Sequence, residues 1–574
     1  MHSVFWLSSA LAAAACAANL ADVCTTSYVQ SVLPADNFIQ GTTLSAGSVT
    51  ASAVTNYTVP ASSSNPGKSG LNFCNVTFSY SHTGYNDKVN LWFWLPAPPQ
   101  FQNRYLSTGG GGLAITSGQN GLTAGVVHGA ATGTTDGGFG GFSKQLSDVL
   151  LLADGTLNYN MLYSFGYKSI HEMSVLGKEL TRKFYNSTNF YSYYSGCSEG
   201  GREGFSQVQR YGSQFDGAAV GAPAFRQAFQ QVLHLFSAVV EKTNGYAPSP
   251  CELEKINNDT IAACDALDGR ADGVVSRTDL CKLTYKHSAS IGRHYSCPAT
   301  SGGGYPGGPP AGLMPAANGT VTSQAVTVAE DIDKGLHDSK GRQVYISFQP
   351  SSGYPDAATT FDATTGKYEA VASGIGVQYV NLFLKEVNSA SLSLSNVTYD
   401  ILREWILEGM QKFSDTLQTT WPDLEDFQEG GGKIIHYHGE SDNSVPAASS
   451  VMYQDSVRKT MYPELGFREG YSKLNDWYRL FLVPGAGHCA PSQQQPGPFP
   501  QDVLGSLISW VEQGVNPTLL NATVLSGPSA GTNQKLCAWP QRPFWIGSNM
   551  SCVYDQESID SWLPNLNSIP VPVY

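Results

Sequence analysis

Residues 190–209 read FYSYYSGCSEGGREGFSQVQ, and this stretch decides the fold. Its aromatic beginning is typical of a buried strand, and Gly200 to Gln209 favour a helix. Between them, residues 196–200 (GCSEG) fit the G-x-S-x-G pattern, in which glycines permit a crowded turn that lifts a serine out of a sheet. The stretch therefore predicts a strand, a sharp turn and a helix, with Ser198 at the turn.

The same organisation extends on both sides of this turn. Strand-like runs are predicted at 73–78, 89–95, 216–221, 433–438 and 477–483, and helices at 165–184 and 502–514. Strands that alternate with helices are typical of α/β proteins with a mainly parallel sheet. We therefore predict an α/β fold of the α/β-hydrolase type.

Residues 225–425 break this alternation. They contain four cysteines and a Gly/Pro-rich tract, and 574 residues are many for one hydrophobic core. We predict that residues 19–224 and 426–574 form the core in two parts, and that residues 225–425 form an inserted lid domain.

The N-terminus predicts secretion. Residues 1–18 contain an apolar run too short to span a membrane, and small residues at 15–17 (ACA) suit signal cleavage. Ten of the 11 cysteines remain after cleavage, an even number that suggests disulfides in an oxidising compartment. Eight N-x-S/T sequons suit an extracellular glycoprotein: Asn56, Asn75, Asn186, Asn258, Asn318, Asn396, Asn521 and Asn549.

The charge of the chain restricts its partners. A net charge of −13 repels nucleic acids and anionic membranes, so we expect neither as a partner. The sequence says nothing about the oligomeric state.

Three residues have the types and the chain order of an α/β-hydrolase triad. Ser198 is the predicted nucleophile, Asp442 follows the predicted strand at 433–438, and His488 follows the one at 477–483. His488 would take the serine proton, and Asp442 would orient the imidazole. Glu440 is the competing candidate for the acid.

Backbone amides should stabilise the oxyanion of such an ester hydrolase. One donor is expected from Glu199, directly after the nucleophile, and a second from a glycine loop that follows an early strand. Residues 109–112 (GGGG) are that loop. Gly110 and Gly111 are equally good candidates for the second donor.

The predicted nucleophile and the predicted base each have a cysteine beside them. Cys197 precedes Ser198, and Cys489 follows His488. A disulfide between these cysteines would join the turn of the nucleophile to the loop of the base.

Residues 265–274 (DALDGRADGV) predict a structural calcium site in the insertion. Carboxylates at offsets of three and four, separated by glycines, can fold around a hard cation that prefers oxygen ligands. The spacing is not that of an EF-hand. Cys264 and Cys281 flank the loop and would clamp it. The expected ligands are the side chains of Asp265, Asp268 and Asp272 and the carbonyls of Arg270 and Val274.

The histidines do not predict a catalytic zinc site. No H-E-x-x-H motif or paired-ligand spacing is found among His171, His287, His294, His436 and His438. His436 and His438 alternate along one predicted strand, and we expect structural roles for both.

With these residues identified, the chain resembles the fungal tannase and feruloyl esterase family of α/β hydrolases. That family carries a Cys-Ser…Asp…His-Cys arrangement, matched here at 197–198, 442 and 488–489. Within that family the chain resembles the tannases, on residues 194–204 (YSGCSEGGREG), 436–442 (HYHGESD) and 558–562 (SIDSW). The resemblance implies a lid with a calcium site between nucleophile and acid.

The resemblance also implies a substrate. It suggests a secreted serine esterase that hydrolyses galloyl ester and depside bonds of hydrolysable tannins and alkyl gallates, and releases gallic acid through an acyl-enzyme. A feruloyl esterase acting on hydroxycinnamoyl esters of the plant cell wall is the first alternative. A non-catalytic secreted binding protein is the second. Residues 301–318 contain no Lys or Arg, so we do not expect cleavage into two chains.

Overall fold

A nine-stranded sheet forms the centre of the computed structural model, which describes residues 19–299, 314–570 and 573–574. The predicted signal peptide and residues 301–313 of the Gly/Pro-rich tract lie outside the described residues. In chain order the strands are β1 (Thr42–Val59), β2 (Lys68–His82), β3 (Val89–Pro96), β4 (Arg104–Thr108), β5 (Ala130–Thr135), β6 (Tyr191–Cys197), β7 (Gly217–Gly221), β8 (Lys433–Gly439) and β9 (Tyr478–Val483).

The order of the strands across the sheet is β1-β2-β3-β5-β4-β6-β7-β8-β9. The six strands β5, β4, β6, β7, β8 and β9 pair in parallel with their neighbours in this order. β1, β2 and β3 pair antiparallel, and β3 joins them to β5, also antiparallel. Parallel strands are covered by helices on both faces, which explains why every residue of β7 and β9 is buried. The predicted α/β-hydrolase fold is confirmed.

Helices cover the sheet and build most of the insertion. The longer ones are α1 (Gln119–Val126), α2 (Ser169–Phe184), α3 (Glu199–Arg210), α4 (Gln227–Asn244), α5 (Pro250–Cys264), α6 (Ser323–Asp333), α7 (Tyr399–Phe413), α8 (Ala447–Met461), α9 (Phe467–Leu474) and α10 (Val503–Gln513). Short helices lie at Leu20–Val23, Thr26–Ser31, Tyr159–Tyr163, Thr278–Thr284, Gly374–Gln378, Glu425–Glu429 and Gln556–Asp560.

The helix predicted over 165–184 has an irregular first turn. Residues Ser164–Lys168 form a π-helical turn before α2 begins. The fully buried Arg202 donates hydrogen bonds to the carbonyl oxygens of Phe165 and Gly166, each at 2.9 Å. A π-helical turn leaves backbone carbonyl groups available to accept hydrogen bonds from side chains. Here the guanidinium of Arg202, on α3, donates to two of them.

Two strands of the sheet lack a clear sequence signal. β5 reads AATGTT and has no large side chain, because a Cβ on Gly133 would lie only 2.4 Å from the Phe93 ring. β1 forms an edge of the sheet with many exposed positions, so its pattern is weakly apolar. Close packing in β5 and solvent exposure in β1 therefore obscure the alternation of apolar and polar residues that usually predicts a strand.

The chain between β7 and β8 adds no strand to the central sheet within its described part. It contains α4 to α7 and three two-stranded sheets. These sheets pair His294–Cys297 with Ala317–Thr320, Leu336–His337 with Gln343–Tyr345, and Thr359–Asp362 with Lys367–Ala370. The predicted domain boundaries at 225 and 425 stay a prediction.

The C-terminal part continues after β9 with small antiparallel sheets. Pro498–Phe499, Leu519–Val524 and Asn533–Cys537 form one sheet, and Arg542–Ile546 pairs with Asn549–Val553. No helix of the described residues is long and apolar enough to cross a membrane.

Five disulfides join the ten cysteines that follow the predicted signal peptide. Two of them, Cys197–Cys489 and Cys264–Cys281, are the pairs that the sequence suggested. The other pairs, which the sequence left open, are Cys24–Cys74, Cys251–Cys297 and Cys537–Cys552.

Seven of the eight sequon asparagines are exposed. Asn75 is the exception, because it is half-buried in β2 and its side-chain oxygen accepts a hydrogen bond from the Trp92 indole at 2.6 Å. An asparagine engaged in this way is a poor glycan acceptor. The exposed sites remain predictions.

The most unusual group of the insertion is Glu241 on α4. Its side chain is buried, and neither carboxylate oxygen has a hydrogen-bond partner in the described part of the chain. Burial raises the pKa of Glu241 well above its ordinary value. Above the ordinary pKa of a glutamate, the unfolded chain loses this proton while the folded chain keeps it, which destabilises the folded state.

We therefore expect Glu241→Gln to raise the melting temperature by roughly 1–3 °C at pH 7 and to change it little at pH 4. Thermal unfolding at both pH values measures the effect. Glu254→Gln, at an exposed position of α5, is the matched control and should change neither value. An equal shift of the Glu241 variant at both pH values would contradict the explanation.

Candidate active site

Ser198 lies in a strained turn between β6 and α3. Its backbone has φ +65° and ψ −121°, a conformation that non-glycine residues rarely adopt and that is characteristic of a nucleophile elbow. The flanking glycines allow close backbone packing. A Cβ on Gly196 would lie 2.6 Å from the carbonyl oxygen of Gly200, and one on Gly200 would lie 2.8 Å from that of Gly110.

The structure brings Ser198, Asp442 and His488 together. His488 Nε2 lies 2.7 Å from Ser198 Oγ, and His488 Nδ1 lies 2.8 Å from Asp442 Oδ2. The three residues follow β6, β8 and β9, whose carboxyl ends meet at one edge of the sheet. The serine hydroxyl can thus donate to the imidazole, and the imidazole can donate to the carboxylate.

Asp442 is fully buried but keeps its charge through its neighbours. Its Oδ1 accepts backbone N–H groups of Ser444 at 2.8 Å and Val445 at 2.9 Å, and its Oδ2 contacts His438 Nε2 at 3.1 Å as well as His488. Burial raises the pKa of Asp442, but the charge of His488 and the hydrogen bonds from both histidines outweigh burial and hold this pKa well below its ordinary value.

His488 responds in the opposite direction. Burial lowers its pKa, but the charge of Asp442 and the hydrogen bond to it outweigh burial and raise the pKa above the ordinary value. A more basic imidazole is a better acceptor of the serine proton, provided that the medium leaves it neutral.

Glu440, the competing candidate for the acid, has other partners. Its carboxylate accepts hydrogen bonds from Arg542 and from the Thr278 hydroxyl, each at 2.6 Å, and it is fully buried. The geometry therefore favours Asp442 as the partner of His488.

The glycine loop is close to the nucleophile, but its hydrogen bonds differ from the expectation. The N–H of Gly110 donates to Glu203 Oε2 at 2.9 Å, and the N–H of Gly111 donates to the carbonyl of Ala114 at 3.0 Å. Neither amide is free in this structure, which argues against Gly110 and Gly111 as oxyanion donors. The amide of Glu199 lies at the first position of α3, where helical N–H groups have no partner within the helix.

Glu203 is a residue that sequence reasoning missed. It lies in α3, fully buried, and also contacts the Tyr194 hydroxyl at 3.4 Å. Burial, together with the neighbouring charge of Glu199, raises its pKa well above the ordinary value. Glu203 thus fastens the glycine loop to the nucleophile helix, and no local motif signals a contact across 93 residues of sequence.

A cavity of about 580 Å³ opens onto Ser198 and His488. Its walls come from the glycine loop, from α4 and from the chain after Ser373. Four buried polar atoms on these walls have no hydrogen-bond partner among the described residues: Gln230 Oε1, Gln231 Oε1, His234 Nε2 and the Tyr379 hydroxyl. The other ring nitrogen of His234 lies 2.7 Å from Asp356 Oδ2, which fixes the ring.

The residues expected to bind calcium lie in one loop between α5 and the short helix Thr278–Thr284. Oδ1 of Asp265 accepts the N–H groups of Asp272, Gly273 and Val274, and Arg270 Nε lies 3.1 Å from Asp272 Oδ2. Within the described ranges, no three His, Cys, Asp or Glu side chains converge as a metal-binding group.

The carboxylates of this loop nevertheless repel one another. Burial raises the pKa of Asp268 to about 6, and the charges of Asp272 and Asp265 add to this effect. Burial also raises the pKa of Asp272, against the opposing charge of Arg270. The chemistry of the donors therefore suits a hard cation, although the side chains do not enclose one in this arrangement.

Comparisons with known proteins agree with this geometry. Residues 74–559 match the family described as tannase and feruloyl esterase. A tannase from Aspergillus oryzae is 46% identical, over 99% of this chain and 98% of that protein. A probable feruloyl esterase from Arthroderma benhamiae is 30% identical, over 88% of this chain and 87% of the relative.

Solved structures show the same relationship. A tannin acyl hydrolase from Aspergillus niger superposes with a TM-score of 0.93 at 53% identity and covers 97% of this chain and 99% of its own. Feruloyl esterase B from Aspergillus oryzae gives a TM-score of 0.68 at 25% identity, over 90% of this chain and 97% of its own. The chain therefore belongs to the tannase and feruloyl esterase family of carboxylic ester hydrolases.

Proposed function

We propose that this protein is a secreted serine esterase that hydrolyses galloyl ester and depside bonds of hydrolysable tannins and alkyl gallates. The observation that carries the proposal is the Ser198–His488–Asp442 chain of hydrogen bonds at a cavity whose lining side chains include four polar atoms without a partner in the described part of the chain. The likeness to the Aspergillus tannases supports the same substrate class.

In this mechanism, Ser198 Oγ attacks the ester carbonyl while His488 Nε2 takes its proton. Asp442 holds the tautomer of His488 that has its proton on Nδ1, and stabilises the imidazolium that forms. The N–H of Glu199 donates to the oxyanion. His488 then protonates the departing alcohol, and it later activates the water that releases gallic acid from the acyl-enzyme.

The lining of the cavity supports a galloyl ring as the acyl group. Gln230, Gln231 and His234 line the cavity from neighbouring positions of α4, and each carries a buried acceptor atom that has no hydrogen-bond partner among the described residues. Gallate carries three adjacent hydroxyl groups that can donate to them. A site built for hydroxyl groups rejects an analogue that lacks them, because its own buried polar atoms then stay unpaired.

Feruloyl ester hydrolysis is the second candidate, supported by the feruloyl esterases among the relatives. Ferulate has one ring hydroxyl group, and its methoxyl group cannot donate a hydrogen bond, so it would leave two of the three acceptors of α4 unpaired. A non-catalytic binding protein would not need the hydrogen bond between His488 and Ser198, which makes it the weakest candidate.

We also propose that calcium stabilises the loop at 265–274. Asp265, Asp268 and Asp272 would hold it, with the carbonyls of Arg270 and Val274, and it would neutralise the repulsion between the carboxylates. The loop is tied to the acid loop, since Gln495 accepts the N–H of Val275 at 3.0 Å and donates to the Ser441 hydroxyl at 2.8 Å.

The extracellular location belongs to the same proposal. Five disulfides suit an oxidising compartment, where a glycosylated enzyme would meet plant polyphenols. The partner is a small molecule, and neither a nucleic acid nor a membrane is involved.

The substrate class is tested by the kcat/KM values for methyl gallate and methyl ferulate. We expect a preference for methyl gallate of at least about 100-fold in the wild-type enzyme. Gln230→Leu should lower kcat/KM for methyl gallate by roughly 10–100-fold and affect methyl ferulate much less. Ser198→Ala should abolish both activities without a loss of fold. A preference for methyl ferulate would transfer the assignment to feruloyl esterase.

The disulfide beside the catalytic residues should support activity as well as stability. We expect Cys197→Ala/Cys489→Ala to lower kcat about tenfold and to lower the melting temperature, because the base loop gains freedom relative to the nucleophile. Cys537→Ala/Cys552→Ala removes a disulfide of the C-terminal sheets and should lower only the melting temperature. Full kcat in the first variant would show that the link has no catalytic role.

Calcium should stabilise the folded protein. In chelator-treated protein, we expect added calcium to raise the melting temperature by roughly 2 °C, and less below pH 6, because protonation of Asp268 competes with the metal. Asp268→Asn should remove the response, whereas the exposed Asp154→Asn should keep it. If added calcium did not change the melting temperature of the wild-type protein, a calcium site in this loop would be excluded.

A further inference from the structure

A continuous line of hydrogen bonds leads from Asp442 into the core of the protein. His438 Nε2 lies 3.1 Å from Asp442 Oδ2, and His438 Nδ1 lies 2.7 Å from the Ser450 hydroxyl. Ser450 Oγ lies 2.8 Å from His436 Nε2, and His436 Nδ1 lies 2.9 Å from the Tyr478 hydroxyl. The line therefore connects β8, α8 and β9 behind the catalytic acid.

The positions of the protons along this line follow from Tyr478, the residue most distant from Asp442. The only hydrogen-bond partner of the Tyr478 hydroxyl in the described residues is His436 Nδ1, so the hydroxyl must donate to it. His436 then carries its proton on Nε2 and donates to Ser450, and Ser450 donates to His438 Nδ1. His438 is left with its proton on Nε2, where Asp442 and the carbonyl of Val445 accept it.

The reverse direction of donation, from His438 through Ser450 and His436 to Tyr478, is unfavourable. His438 would then need protons on both ring nitrogens and would be positively charged, and the buried proton of the Tyr478 hydroxyl would have no acceptor. His436 favours the neutral order as well. Burial, with a smaller contribution from His438, lowers its pKa well below the ordinary value. The rings of Phe205 and Phe225 lie beside it, with centroids 5.4 and 6.0 Å away.

We propose that His438 is a positioning residue for catalysis, which the line from Tyr478 through His436 and Ser450 holds as a hydrogen-bond donor to Asp442. The inference rests on the proposed serine esterase mechanism and names a part of it that the triad does not include. The inference is based on an oxygen of Asp442 that two histidines share. His438 and His488 both contact Asp442 Oδ2, while Oδ1 is occupied by two backbone amides.

This arrangement has two consequences for His488. The carboxylate cannot rotate, because each of its oxygens has two fixed donors, so Oδ2 stays directed at His488 Nδ1. The second imidazole also withdraws charge from Oδ2 and moderates the effect of Asp442 on the base. Loss of His438 should therefore misalign the base and make the carboxylate raise the pKa of His488 further.

Few other charges face this line. Asp442 and His488 lie at its outer end, and Tyr453 on α8 packs against Phe225 near its inner end. Arg226 binds the hydroxyl and carbonyl of Ser449 at the beginning of α8. Asp442 is thus the carboxylate in direct contact with His438.

The experiment compares His438→Leu, which removes the donor, with His438→Gln, whose amide can donate from a similar position. Ser450→Ala interrupts the line one step further away. Ser456→Ala is its control on the same helix, where the hydroxyl donates to the carbonyl of Met452. Thermal unfolding verifies that each variant is folded. The readout is the pH profile of the labelling rate of Ser198 by a fluorophosphonate, together with kcat and KM for methyl gallate.

We expect His438→Leu to lower the labelling rate and kcat by roughly 10–100-fold, with KM nearly unchanged and the acidic limb of the profile moved to higher pH. His438→Gln should recover most of the rate. Ser450→Ala should shift the limb in the same direction by less, and Ser456→Ala should not shift it.

Two results would overturn the proposal: wild-type rates in His438→Leu, or equal losses in the Leu and Gln variants with an unchanged acidic limb. Fluorophosphonate labelling does not depend on the galloyl ring. A wild-type enzyme that is labelled at Ser198 but ignores methyl gallate would therefore refute the substrate assignment and leave the role of His438 to be judged on the labelling rates.

Discussion

The parallel register of β6, β7, β8 and β9 is the constraint on which the rest of the site depends. Cys197 pairs with Gly221, Gly221 pairs with Tyr437, and Gly439 pairs with Val483. Since these strands end at the same edge, the loops that follow β6, β8 and β9 lie side by side. A shift of one residue in any pair would reverse the faces of its side chains and separate Ser198 from His488.

Close backbone packing then fixes the nucleophile within this frame. The glycine loop contacts the turn, because the amide of Gly200 donates to the carbonyl of Gly110 at 3.0 Å. The carboxylate of Glu203 holds the loop as well, by accepting the N–H of Gly110. The carboxylate of Glu199 accepts hydrogen bonds from Arg202 and Gln227. The first turn of α3 thus organises the glycine loop, the π-helical turn before α2 and the wall of the cavity.

Sequence could predict those parts of the site that a local pattern encodes. Ser198 stands in a five-residue motif, and Asp442 and His488 directly follow apolar runs, so their positions at strand ends could be foreseen. Gln230, His234 and Tyr379 could not, because helices and loops of the insertion bring them to the cavity without any repeated pattern. The amides of Gly110 and Gly111 show the same limit. Their acceptors, Glu203 and Ala114, are determined by packing rather than by the glycine run itself.

The Cys197–Cys489 disulfide joins two residues that are 292 positions apart in the chain, and the segment between them includes the whole predicted insertion. Because of this closure, a protease that cut the insertion once would produce two fragments still joined at the edge where nucleophile and base meet. The two fragments would separate in gel electrophoresis only after reduction. The link therefore makes the continuity of the insertion dispensable for keeping the loops of the nucleophile and the base covalently joined.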